Sequence, residues 1–151
     1  METDLVLVVE DSDEDIEAIA RAIGRSHPDV RLEFLRSGSG VLPRLTAGGH
    51  EPPGLVLLDL NMPGEGGLDV VRQVRARGEY DGLRLVVFTS SENQAEAEAC
   101  YAAGADSYIY KPINFALFQS VLAQTLDYWR SREPNVTQIV VPPPGESSAQ
   151  A

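Results

Sequence analysis

Four short apolar runs in this chain each give way to a residue that can do chemistry. LVLVV (5–9) runs into Glu10 and Asp11, LVLL (55–58) into Asp59, LVVF (85–88) into Thr89, and SYIY (107–110) into Lys111. Three carboxylates, a hydroxyl and one amine form a coherent set only if they meet. Carboxylates within a few ångströms resist joint ionisation, and a hard divalent cation removes that penalty. An all-oxygen donor set suits Mg²⁺, with Mn²⁺ or Ca²⁺ able to substitute, and no His or Cys cluster accompanies it to suggest zinc. A metal on one side and a lysine on the other would clamp a phosphoryl group. A carboxylate is ionised at pH 7 and attacks phosphorus without a general base, so Asp59 is the candidate for an aspartyl-phosphate. Thr89 would then meet one phosphoryl oxygen through its hydroxyl, and Lys111 another as a point charge.

Each feature alone has an ordinary explanation. EDSDED (10–15) suits a helix N-terminus, where the helix dipole favours acids. Thr89, Ser90 and Ser91 are helix-capping residues, with Ser91 and Gln94 at capping-box spacing. Lys111 before Pro112 carries no signal by itself. His27 and His50 read as solvated loop residues, and Cys100 as a small packing residue on an alanine-rich helix. These explanations fail jointly, because none accounts for all the strand ends lying on one edge.

That shared edge follows from the order of elements. The strand-like runs at 5–9, 30–37, 55–59, 83–91 and 107–112 alternate with helical patterns such as Ile16, Ile19, Ala20 and Ile23, or Leu68, Val70, Val71 and Val74. Alternating strands and helices predict a parallel sheet covered on both faces. Right-handed crossovers narrow the topology to doubly wound forms. The continuous apolar runs at 5–9, 55–59 and 85–88 are the most central, so the expected fold is a flavodoxin-like (βα)5 unit, strand order 2-1-3-4-5. Functional groups in such sheets gather at the carboxyl ends of the strands. The repeating unit ends near residue 132, and 133–151 reads as an extended or disordered tail. Within that tail VTQIVV (136–141) is strand-like and suits a sheet edge or a partner subunit.

Composition narrows the function. A net charge of −11 repels nucleic-acid phosphates and anionic membranes. No apolar run approaches the ~20 residues that span a bilayer, and the N-terminus lacks the pattern of a signal peptide. The lone Cys100 excludes an intrachain disulfide and fits a reducing, cytoplasmic setting.

The segments VVEDSDED, LVLLDLNMP, VVFTSS and YIYKP together resemble the motifs of response-regulator receiver domains from two-component signalling, over roughly residues 4 to 130. The aromatic end LDYWR of the last helix is similar to single-domain receivers paired with bacterial phytochrome kinases. The resemblance implies a phosphorylated switch rather than an enzyme, with a sensor histidine kinase as phosphoryl donor, a bacteriophytochrome if the likeness to phytochrome-paired receivers holds. It further implies Asp59 as phosphoacceptor, Asp11 and Glu10 as Mg²⁺ ligands with Asp59, and the Asn61 backbone carbonyl as the remaining protein ligand. Thr89 and Tyr108 would be the switch pair, Lys111 the phosphate-binding lysine, and the Lys111–Pro112 bond cis. Gly66 departs from the family pattern, where many relatives carry an acid. With no DNA-binding segment after residue 132, output would run through protein contacts, or the protein would serve as a phosphate sink. The rival reading is a Mg²⁺-dependent phosphohydrolase using the same aspartate. It lacks the second acid such enzymes place two residues after the nucleophile, where this chain has Asn61.

On a helical wheel for 115–132, Phe115, Phe118, Leu122, Leu126 and Trp129 make the stripe expected to face the sheet. Leu117, Val121 and Tyr128 form a second stripe, the expected face of a homodimer.

Overall fold

The computed structural model describes residues 4–62, 64–130 and 139–141. Its first strand, β1 (Leu5–Val9), is followed by α1 (Asp13–Ser26), β2 (Arg31–Leu35), α2 (Val41–Thr46), β3 (Leu55–Leu58) and α3 (Gly67–Arg75). Then come β4 (Arg84–Thr89), α4 (Gln94–Ala103), β5 (Ser107–Tyr110), α5 (Phe115–Arg130) and β6 (Ile139–Val141). All strands pair in parallel in the order β2-β1-β3-β4-β5-β6. The first five reproduce the expected flavodoxin-like order, and Ile139–Val141 forms the sixth. The rest of the tail, with PPP (142–144) and GESSAQA, lies outside the described residues, as does Pro63.

Side chains alternate between the two faces along each strand, and two apolar layers result. Val6, Val8, Leu55, Leu57, Val86, Phe88 and Ile109 pack under α1 and α5. Leu7, Val9, Val56, Leu58, Leu85, Val87 and Tyr108 pack under α2, α3 and α4. β1, β3 and β4 are buried along their whole length, which is why they read as unbroken apolar runs.

The buried stripe of α5 is Phe118, Val121, Leu122, Thr125, Leu126 and Trp129. Val121 therefore belongs to the core, one turn from Phe118 and Thr125, and not to an outer face. Tyr128 is half-buried and sets its ring edge-on to Trp129, 4.8 Å between centroids. Of the expected dimer stripe only Leu117 is substantially exposed, at 46%. The wheel failed because a helix between a sheet and α1 buries a wider arc than one resting on a flat sheet. His27 also departs from expectation. It ends α1 as a buried residue, Nε2 2.7 Å from Asp127 Oδ1 and Nδ1 2.8 Å from Ser26 Oγ, and so ties α1 to α5.

Helix ends follow local chemistry. Ser12 caps α1 by accepting from the Asp15 N–H. Asn93, not Ser91, caps α4 through the Ala95 and Glu96 amides. Gly104 ends α4 at φ 114°, the left-handed conformation that glycine adopts cheaply.

A cation holds the opposite edge of the sheet together. The Arg75 guanidinium donates to the carbonyls of Gly104 (2.9 Å), Tyr80 (2.7 Å) and Leu83 (2.7 Å) and to Asp106 Oδ2 (3.0 Å). Asp106 also accepts the Leu85 amide at 2.8 Å. Burial lowers the Arg75 pKa and raises that of Asp106, and each partner's charge opposes the shift in the other.

On the α4 side, burial pushes the Cys100 thiol up to about 11 and the Tyr101 phenol up to about 12. The unfolded chain ionises these groups near their ordinary 9.0 and 10.0, while the folded chain keeps them neutral. Above pH 9 the unfolded state thus binds fewer protons, so stability falls as pH rises. We expect the unfolding free energy read from urea titrations to decline between pH 8 and 12 by about 2–3 kcal/mol per group. Cys100→Ala and Tyr101→Phe should each flatten that decline, and a slope equal to the parent's in either variant would refute the assignment for that residue.

Candidate functional site

The sheet ladder continues one residue past the strand ends and so fixes the chemical groups. The Glu10 amide donates to Leu35 O (2.9 Å), the Asp59 amide to Val9 O (3.1 Å) and the Lys111 amide to Thr89 O (2.7 Å). Glu10, Asp59, Thr89 and Lys111 are all buried, while Asp11 is half-buried.

One carboxylate oxygen from each of Glu10, Asp11 and Asp59 lies within 4.8 Å of the other two. This compact, oxygen-only set fits a hard divalent cation with room for water, as the sequence implied. Lys111 Nζ is 2.6 Å from Glu10 Oε2, 2.8 Å from Asp15 Oδ2 and 3.7 Å from Asp59 Oδ2. Burial opposes the Lys111 charge and is the largest single influence. The hydrogen bonds it donates to Asp15 and Glu10 and the charges of Asp59 and Glu10 together outweigh it and leave the pKa raised. Glu10 is raised as well, by burial first and by the Asp59 charge, against the pull of Lys111.

Asp15 is the site residue that the sequence did not reveal. The signal lay in the N-cap. With Ser12 as cap, Asp15 stands in the first turn of α1, directly over the strand edge.

Thr89 is fully buried, its Oγ1 accepting the Ser91 amide at 3.2 Å. The Tyr108 hydroxyl donates to Ser91 O at 3.1 Å, and the Tyr108 amide donates to the Tyr101 hydroxyl at 2.9 Å. Ser91 thus links Thr89 to Tyr108. Asn61 is exposed in the loop after Asp59. That loop is packed without slack, since a Cβ on Gly67 would stand 2.4 Å from Asp59 O and 3.0 Å from Leu60 Cα. The Lys111–Pro112 bond is trans, contrary to the cis expectation. The trans form is the commoner isomer even before proline, and here Lys111 reaches its partners with it.

These features define a doubly wound sheet with an acidic pocket, a lysine and a threonine at its carboxyl edge. The response regulator receiver domain family matches residues 6–123, and the chain belongs to that family. It is 30% identical over 128 residues to the probable methanogenesis regulatory protein FilR2 of Methanothrix harundinacea, covering 83% of each chain. It is 31% identical over 122 residues to response regulator Rcp1 of Synechocystis sp., covering 78% of this chain and 83% of Rcp1. The Mn²⁺-bound form of Rcp1 superposes with a TM-score of 0.76 at 27% identity, over 89% of this chain and 98% of that one. The phosphorylated cyanobacterial phytochrome response regulator RcpA superposes at 0.80, over 87% and 98%. Its 23% identity makes it a likeness of fold. The family function is phosphoryl acceptance in signalling.

Proposed function

We propose that Asp59 accepts a phosphoryl group from a phosphohistidine of a sensor histidine kinase. The observation that carries this reading is the placement of the Asp59 carboxylate, one-tenth exposed, beside two further acids and 3.7 Å from Lys111 Nζ. An Asp59 oxygen forms a bond to phosphorus as the phosphorus–nitrogen bond of the donor breaks, its electron pair returning to the imidazole. Lys111 leaves Glu10 and Asp15 for a phosphoryl oxygen, and the Thr89 hydroxyl turns to another. Glu10, Asp11, Asp59 and the Asn61 carbonyl would hold Mg²⁺, which neutralises charge on the phosphoryl oxygens when bound. Once Thr89 turns away, Ser91 loses its acceptor and the bond from Tyr108 to Ser91 is disturbed. The signal thereby passes to the surface over β4, β5 and α4.

Ile113, 96% exposed two residues after Lys111, offers an apolar contact beside the site for the protein carrying the phosphohistidine. Similarity to the bacteriophytochrome response regulator RtBRR, at 30% identity and a TM-score of 0.69, supports a bacterial phytochrome kinase as that donor. We assign the protein to the cytoplasm. No helix among the described residues is long and apolar enough to cross a membrane. The receiver proper is residues 1–132, and its output is a protein contact rather than catalysis of a further reaction.

Incubation with Mg²⁺ and acetyl phosphate should add about 80 Da, the mass of one phosphoryl group. The adduct should be absent in Asp59→Asn. An unmodified parent chain, or an adduct that persists in Asp59→Asn, would overturn the assignment.

A further inference from the structure

Lys111 is already engaged before any phosphoryl group arrives. Its ammonium has three N–H donors, and it gives one to Glu10 Oε2 at 2.6 Å and another to Asp15 Oδ2 at 2.8 Å. Asp59 Oδ2 stands 3.7 Å away, beyond hydrogen-bond reach. The resting cation is therefore drawn toward the end of β1 and the first turn of α1, away from the carboxylate that reacts.

The two partners differ in how firmly they can keep it. Glu10 is 2% exposed, and its other oxygen accepts the Ser12 amide at 3.1 Å. It also belongs to the converging set with Asp11 and Asp59, so with Mg²⁺ bound Glu10 shares its charge with the ion and its hold on Lys111 relaxes. Asp15 stands outside that set and keeps its own attraction for the lysine. The helix cap fixes its backbone, the Asp15 amide donating to Ser12 Oγ at 3.3 Å. Its side chain is 37% exposed, so water can replace the lysine when the ion pair opens. Breaking a part-exposed pair costs little, whereas stripping a buried carboxylate of its only cation costs a great deal.

We propose that Asp15 is a positioning residue that holds Lys111 in reserve and competes with the phosphoryl group for it. The proposal rests on phosphoryl acceptance at Asp59 and adds a residue that sets its rate. On reaction Lys111 exchanges one anion, the Asp15 carboxylate, for another, a phosphoryl oxygen. The strength of the Asp15–Lys111 pair opposes that exchange. Removing the Asp15 charge therefore makes the lysine more available to the developing phosphoryl anion. The sign of this effect is its signature. An acid lost from the first turn of a helix weakens the dipole interaction, and an acid lost beside a cation site weakens cation binding. Each of those losses slows labelling or leaves it unchanged.

The test uses the full chain at saturating Mg²⁺. Asp15→Asn keeps the size of the side chain and should be labelled by acetyl phosphate about three- to tenfold faster than the parent, the range between an exposed ion pair and a charged hydrogen bond. Beryllofluoride, a non-covalent mimic of the phosphoryl group, should bind Asp15→Asn tighter by a similar factor, read from the rise in melting temperature on titration. Because Asp15 acts through Lys111, adding Asp15→Asn to Lys111→Met should change neither reading. A labelled parent with an Asp15→Asn variant that reacts at the same rate or more slowly would overturn this proposal alone. So would an acceleration that persists without Lys111. A parent that gains no adduct at Asp59 would overturn phosphoryl acceptance, and this proposal with it.

Discussion

Lys111→Met should slow acetyl-phosphate labelling of Asp59 by about 10²–10³-fold, the usual loss when one preorganised charge is taken from a developing anion. The same change should destabilise the metal-free protein. Glu10 is 2% exposed and Lys111 7% exposed, and their ion pair is 2.6 Å long. Removing one partner of a buried pair leaves the other uncompensated, at a cost of about 3–5 kcal/mol. Here the penalty is sharpened by two more acids next to Glu10. A divalent cation can take over the neutralising role, so Mg²⁺ should stabilise Lys111→Met more than the parent, as read from the rise in melting temperature. Parent-like labelling would remove Lys111 from the reaction. A Mg²⁺ response no greater than the parent's would show that the lysine does not balance the acid cluster.

Arg75→Met, far from that site, should cost stability alone. One guanidinium serves three carbonyls and a carboxylate, and it links the end of α3, the turn at Tyr80, the strand entry at Leu83 and the end of α4. Methionine fills much of the volume but supplies no donor, which leaves those carbonyls without that partner and the half-buried Asp106 with the Arg84 charge alone. We expect a loss of about 3–5 kcal/mol in urea unfolding with acetyl-phosphate labelling of the folded protein unchanged. Loss below about 1 kcal/mol, the level of an exposed ion pair, would mean that the network is ornamental. Arg75→Met and Lys111→Met together separate the two edges of the sheet, one holding the fold and the other the chemistry.

The sequence made the catalytic edge legible and the supporting edge opaque, for a physical reason. Asp59, Thr89 and Lys111 each end an apolar strand, so parallel order alone carries them to one place. Arg75 works through the carbonyls of Gly104, Tyr80 and Leu83, and backbone acceptors leave no trace in residue type. Asp15 hid in an acidic run whose members look alike until Ser12 fixes the helix start. Val121 was misplaced because a wheel knows the helix but not the breadth of what covers it. His27 has a partner one hundred residues away, beyond any local pattern. The strand at 139–141 was visible as an apolar run, but its neighbour in the sheet was not.

The close contact of Gly67 with the Asp59 carbonyl bears on mutational robustness. The start of α3 rests directly on the peptide unit that carries the reactive carboxylate, with no room for even a methyl group between them. A side chain at position 67 would push the Asp59 peptide unit itself, moving the nucleophile without removing any polar group of the site. Sequence drift along this loop has freedom at the exposed Asn61, whereas Gly64 is held to glycine by its φ of 75° and position 67 by its neighbours. For an engineer, the loop is adjustable at Asn61 and fixed where it meets the helix.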